Sequence, residues 1–234
     1  MISVNSRDCS CFQRGGKGNP FVCVFECPTD LEERKESPVM GVTGGHLCLL
    51  LRILRNAILP SDRMSRNHLF RRDVCIVNAY TKGRKKRNTT TLESVLSEDK
   101  IVLCFGNKAE VVLKSVIKSM GKPIDYIKVY HLSDLGLLGI QRLDEICELL
   151  KLPFSFRSDA KVFVVAEYIL RVLNGECKGM AFESFAKNFS KDVEIKLGLN
   201  LSNVSKIDMS KIYGQCCSSR CCHKCNACSI TASK

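Results

Sequence analysis

No apolar stretch in this chain reaches the length needed to span a bilayer; the longest are strand-sized or interrupted by charge. No membrane partner is expected. The segment from Met1 to Asp8 lacks the basic-then-apolar order of a secretory signal, so a soluble, cytoplasmic protein is expected. No internal repeat is present, which sets aside repeat architectures. Acidic residues are outnumbered: 24 Asp+Glu stand against 36 Lys+Arg, a formal charge of +12. That surplus favours a polyanionic partner such as nucleic acid.

The 234 residues suffice for one well-buried α/β domain with an extension, or for two small domains. Cysteine is plentiful, at 15 residues. Cys23, Cys75 and Cys104 nevertheless lie inside apolar runs, where a thiol acts as a small hydrophobe, and this argues against a disulfide scaffold. Only Cys9-Ser10-Cys11 and the tail from Cys216 to Cys228 have the close spacing of ligands or disulfides. In the tail, Cys222, Cys225 and Cys228, with Cys221 and His223, offer soft ligands for zinc. Adjacent cysteines cannot all reach one ion, and a thiol-rich tail without metal is the alternative.

Four short apolar runs each stop at a polar residue or a glycine. Phe21 to Phe25 ends at Glu26, Val74 to Val77 at Asn78, Ile101 to Phe105 at Gly106, and Ile127 to Tyr130 at His131. Such runs, separated by helix-period segments, read as buried parallel strands. Open parallel sheets bind ligands at the carboxyl ends of their strands. Glu26, Asn78 and His131 are therefore expected on one rim.

Between these strands, Pro28 to Ser37 reads as a polar loop, followed by a glycine turn at Gly41, Gly44 and Gly45. Leu47, Leu50, Leu51, Leu54, Ala57 and Ile58 then recur at helical spacing until Pro60. Ala109, Val112, Leu113, Val116 and Ile117 give a second amphipathic helix that stops near Gly121. Beyond about Leu152, Ala160 to Leu173 is apolar on most sides, and Met180, Phe182, Phe185 and Phe189 suggest a further short helix. The expected organisation is an α/β core over 1–150, a helical extension of the same domain over 151–214 and a cysteine-rich tail over 215–234.

The order of these motifs resembles the uracil-DNA glycosylase superfamily, in particular the branch whose first motif is Gly-Glu-Ala-Pro-Gly. Phe25-Glu26-Cys27-Pro28-Thr29 is similar to that motif, and Pro38-Val39-Met40-Gly41-Val42-Thr43-Gly44 to the family's Pro-Phe-Val-Gly-x-x-Gly. Asn78 follows at the end of the second strand, Ile101 to Ala109 resembles the strand–glycine–helix unit, and His131-Leu132-Ser133 the His-Pro-Ser motif. The resemblance covers roughly residues 20 to 140. It implies a three-layer α/β/α sandwich with a central parallel four-stranded sheet, here with a C-terminal helical extension.

It also implies a chemistry. Hydrolysing an N-glycosidic bond builds positive charge on the sugar and negative charge on the departing base, so a carboxylate near the sugar and a donor near the base are needed. By resemblance, Glu26 positions water and stabilises the sugar, His131 stabilises the leaving base, and Asn78 reads a base edge. Asn at a strand end also serves local turns, and carboxylates and histidines are often merely solvated. Val39 and Phe25 complete the expected base-facing set. The family's stacking phenylalanine is replaced by Val39, which opens room and points to a modified or damaged base rather than uracil. Phe25 and Thr29 stand where the family has glycines, and Leu132 where it has proline.

Lys82, Arg84, Lys85, Lys86 and Arg87 closely follow Asn78, which places a basic loop beside the rim for phosphate contact; solvated charge is the plain alternative. Ser133 and Leu135 join the expected DNA-binding set, with Leu137 and Leu138 as further wedge residues or ordinary core. Cys9 and Cys11 approximate the family's first iron–sulfur cysteines, but the later two are missing, so no cluster and no cofactor are expected. The expected protein is a monomeric DNA glycosylase of repair or of defence against DNA carrying modified bases. Conventional uracil removal and a catalytically inactive nucleic-acid-binding module are the alternatives.

Overall fold

The structure is a computed structural model that describes residues 9–16, 19–57, 71–132, 147, 157–177 and 179–188. At its centre lies a five-stranded mixed sheet of β1 (Phe12–Gln13), β2 (Phe21–Phe25), β3 (Cys75–Asn78), β4 (Ile101–Phe105) and β5 (Tyr126–Val129), in the order β1-β3-β2-β4-β5. The four strands anticipated from sequence run parallel to one another. The sheet is not purely parallel, however. β1 pairs antiparallel with β3, Phe12 opposite Val77 and Gln13 opposite Ile76. The addition has a physical reason, because β3 would otherwise present unpaired backbone groups at the sheet margin. Gln13 reinforces it by donating through Nε2 to the carbonyls of Arg71 (2.6 Å) and Val74 (2.9 Å).

Alternation along the strands divides the apolar residues between two clusters. Phe21, Cys23, Phe25, Leu103, Phe105 and Val129 share one with Leu47, Leu50 and Leu54 of α2 (Gly41–Ala57) and with Phe163 and Val164 from a later helix. Val22, Val24, Cys75, Val77, Val102 and Cys104 share the other with Leu92 of α3 (Thr89–Val95) and Ala109, Val112, Leu113 and Val116 of α4 (Asn107–Met120). The later helix is α5 (Arg157–Leu173), which packs on α2; α6 (Phe182–Asn188) follows. Both contribute to the same core as α2. Tyr168 meets Phe182 edge-on at 5.1 Å and donates through its hydroxyl to the Met180 carbonyl at 2.7 Å. Among the described residues, no helix is long and apolar enough to cross a membrane.

The polar stretch from Pro28 to Ser37 is not all loop. It contains α1 (Asp30–Lys35), opened by a capping box in which Thr29 Oγ1 accepts from the Glu32 amide and Glu32 Oε2 accepts from the Thr29 amide at 2.7 Å. The other Glu32 oxygen accepts from the Met40 amide at 2.8 Å, which fixes the chain entering α2. Burial raises the Glu32 carboxyl above its ordinary range, against these amide contacts and the charge of Arg71. Where α2 begins, Gly44 packs so closely on the Val39 carbonyl that no side chain fits between them.

Candidate functional site

The sheet registers set the rim. Phe25 lies opposite Asn78, Val24 opposite Cys104 and Phe105 opposite Val129, so the four parallel strands end nearly level. Phe25 stacks on Phe105 and meets the ring of His131 edge-on, with centroids 5.7 Å apart and planes at 87°. Glu26 follows Phe25 directly. The strand ends thus carry Glu26 and His131 to the same end of the sheet, with a pair of phenylalanines beneath.

Gly106 leaves β4 with φ 93° and starts α4, and a Cβ there would stand 3.4 Å from that of His131. A residue free of a side chain is what lets the His131 segment come this near. On the other side, His46 of α2 hydrogen-bonds through Nδ1 to the Leu132 carbonyl at 2.8 Å. The histidine expected from sequence is therefore placed by a strand end, a glycine and a contact to α2.

Glu26 is the most charged junction of the rim. Arg84 donates through Nε to its Oε1, and Lys108 in the first turn of α4 sits 3.5 Å from the same oxygen. The Glu26 carbonyl accepts from the Tyr80 amide and the Phe25 carbonyl from the Ala79 amide, both at 2.8 Å, so the chain beyond β2 is stitched to the chain beyond β3. Beside it, burial pushes the Cys27 thiol up, the Glu26 charge adds to this and the Arg84 guanidinium opposes it. Hydrogen bonding to Glu26, together with its charge, raises Arg84 further above its usual range.

The basic loop leaves from the same place. A 3-10 turn spans Lys82–Arg84, with Gly83 at φ 62° and Arg84 at φ 58°, and is closed by a Tyr80–Arg87 bridge and a bond from the Thr81 amide to the Lys86 carbonyl at 2.8 Å. Lys82, Arg84, Lys85, Lys86 and Arg87 are all exposed. Lys82 also pairs with Asp30 at 3.3 Å.

The residues expected to face a base are placed differently. Asn78 is 1% exposed, and its side-chain nitrogen donates to the Ser10 carbonyl at 2.9 Å while its backbone amide donates to the Cys11 carbonyl at 2.9 Å. It anchors the N-terminal segment across the end of β3. Phe25 is equally buried and stacks on Phe105. Val39 is buried too, and its backbone is left-handed at φ 54°. A β-branched residue held there costs about 1–3 kcal/mol, a strain that recurs at ligand sites.

Ser133, Leu135, Leu137 and Leu138 lie outside the described residues, as does the tail over 215–234. Among the described residues no three metal-ligating side chains cluster, and Cys9 and Cys11 are free thiols. Lys108 and His46 did not stand out in the sequence. The signal for Lys108 was its place two residues beyond a strand-ending glycine; His46 carried none beyond its nearness to the glycine turn. Comparison of this chain with protein-family models, with curated proteins and with solved structures finds no match.

Proposed function

We propose that this protein is a DNA glycosylase that hydrolyses the N-glycosidic bond of a base rotated out of DNA, leaving an abasic site. The observation that carries the reading is the joint placement of Glu26 and His131 about Phe25, with exposed cations of the 82–87 loop attached to the same rim through Arg84. Helices of two separate core clusters flank the sheet, which fits a three-layer α/β/α sandwich.

In this reading the bond between C1′ and the base nitrogen breaks with its electron pair leaving on the base, a water oxygen bonds to C1′, and the proton that water sheds is balanced by protonation of the departed base. Glu26 orients that water and offsets the charge of the oxocarbenium-like sugar, while His131 stabilises the departing base. Phe25, stacked on Phe105, supports the histidine through its edge-on ring contact. Exposed lysines and arginines of the loop contact phosphates, which position DNA without reading sequence. Asn78 is buried and its side-chain nitrogen already serves the Ser10 carbonyl, so base selection falls more heavily on the strained Val39 segment. Valine in place of an aromatic platform favours a modified or damaged base, with uracil as the near alternative. A cytoplasmic monomer in repair or in defence against modified DNA is the setting proposed.

The test is release of bases from a panel of chemically modified duplexes, read by mass spectrometry together with strand cleavage at abasic sites. Glu26→Gln and His131→Ala are each expected to slow release by ~10²- to 10³-fold without loss of DNA affinity. Release by both folded variants at the unaltered rate would remove Glu26 and His131 from the chemistry. DNA binding without release of any base would leave a nucleic-acid-binding module.

A further inference from the structure

Arg84 and Lys108 both approach a single oxygen of Glu26, so one carboxylate holds two cations and the group of three carries a net positive charge. The arrangement is at odds with catalysis as it stands. A carboxylate neutralised from two sides is a poor partner for a cationic sugar. The two cations differ in how they are held: Lys108 stands on the first turn of a 14-residue helix, whereas Arg84 ends a turn in which two successive residues are left-handed. Arginine is disfavoured in that region, and the conformation is imposed by the closure of the loop between Tyr80 and Arg87. The Arg84 side chain is also half-exposed, at 51%.

Resting on the glycosylase reading, we propose that Arg84 is a positioning residue that exchanges partners. It holds Glu26 in the free protein and passes to a phosphate of the bound strand, leaving Glu26, steadied by Lys108 alone, to face the sugar. Exchange is favoured because exposed ion pairs contribute little. A phosphate offers the guanidinium a two-pronged acceptor, and its neutralisation releases counterions. Glu26 thereby sheds one of its two cationic partners only when a phosphate occupies the rim. Lys82 is already paired with Asp30, and Lys85, Lys86 and Arg87 remain exposed to receive the flanking phosphates.

Affinity for a fluorescent duplex bearing a stable abasic analogue tests the exchange without requiring activity. In the full chain, Glu26→Gln frees Arg84 in advance and is expected to tighten binding about 3- to 10-fold, and Arg84→Gln costs more affinity in that background than in the unaltered protein. Arg84→Lys, which keeps the charge but loses the planar fork, gives an intermediate coupling. Strict additivity of Glu26→Gln and Arg84→Gln overturns the exchange, since a pair unchanged by binding contributes equally on both sides. Failure to bind duplex at all overturns the exchange and the glycosylase reading together. Coupling without base release supports the exchange and overturns only the chemistry. In a releasing protein, replacing the contacted phosphate by an uncharged methylphosphonate lowers kcat for the unaltered chain and leaves Arg84→Gln indifferent. Equal sensitivity of both at every phosphate overturns the proposal.

Discussion

Phe25 and Phe105 stack across adjacent parallel strands with ring centroids 4.4 Å apart and planes 8° from parallel, and both are almost fully buried. Their packing joins stability to the site, because Phe25 also carries the edge contact to His131. Phe25→Leu and Phe105→Leu are each expected to lower stability by about 1–2 kcal/mol. The double variant should lose less than the sum by about 0.5–1.5 kcal/mol, the part belonging to the ring pair. Urea unfolding measures all three. Base release should fall further for Phe25→Leu than for Phe105→Leu; equal losses would dissociate the ring pair from the histidine.

Neutralising Arg84, Lys85 and Arg87 together should weaken binding to unrelated DNA sequences alike. The slope of log affinity against log salt should become shallower by about 0.9 for each phosphate that the variant no longer neutralises. Titrations at several salt concentrations decide this. An unchanged slope dismisses the loop as a DNA-binding surface.

The β5 margin carries a charged network with a definite pH signature. Burial opposes ionisation of Glu110, but hydrogen bonds from Lys114 and Tyr126 and the charges of Lys114 and Lys128 overcome it, so its carboxyl lies below the ordinary 4.5. A depressed carboxyl contributes stability above its ordinary value and loses it as pH falls through the lowered one. Glu110→Gln should therefore flatten the loss of stability on acidification below about pH 4.5. On the alkaline side, burial and then Glu110 push the Tyr126 phenol up to about 12 from 10.0. Its contribution is present below 10.0 and lost as pH rises through about 12, so Tyr126→Phe should flatten that limb. Denaturation midpoints across pH measure both, and an unaltered acid limb in Glu110→Gln would refute the first.

Gly44 gives a further expectation. An exposed glycine inside a helix gains about 1 kcal/mol on replacement by alanine. At Gly44 the added methyl would fall inside van der Waals distance of the Val39 carbonyl and 3.3 Å from Arg71 Nη1. Overpacking against backbone typically costs about 1–3 kcal/mol, so Gly44→Ala should lose stability rather than gain it. A raised melting temperature would contradict this placement of Val39.

The parallel strands were legible because Val, Ile, Phe and Cys buried on both faces leave unbroken apolar runs, as in Phe21–Phe25 and Ile101–Phe105. α2 and α4 were legible from leucine and valine at helical spacing. Two residues of β1 are too few for any period to register, and their pairing depends on β3, some sixty residues away in the chain. α1 was masked by charge, although Thr29 and Glu32 spell a capping box; α3 has Leu92 as its buried residue and little stripe to read. Of the site, strand ends indicated Glu26 and His131, since topology alone puts them on one rim. The fate of Asn78 was not legible, because the Ser10 carbonyl that takes its amide comes from a segment with no periodic signal.

That N-terminal segment has a consequence for the life of the chain outside the folded state. Until residues 9–13 have laid themselves along β3, Cys75 to Asn78 offer an apolar ribbon with free amides and carbonyls, the kind of template on which a second copy adds a strand. The stub of β1 is then a stopper against self-association. A chain trimmed through Gln13, or carrying a bulky fusion that delays its docking, is expected to precipitate on refolding at concentrations where the full chain stays dispersed.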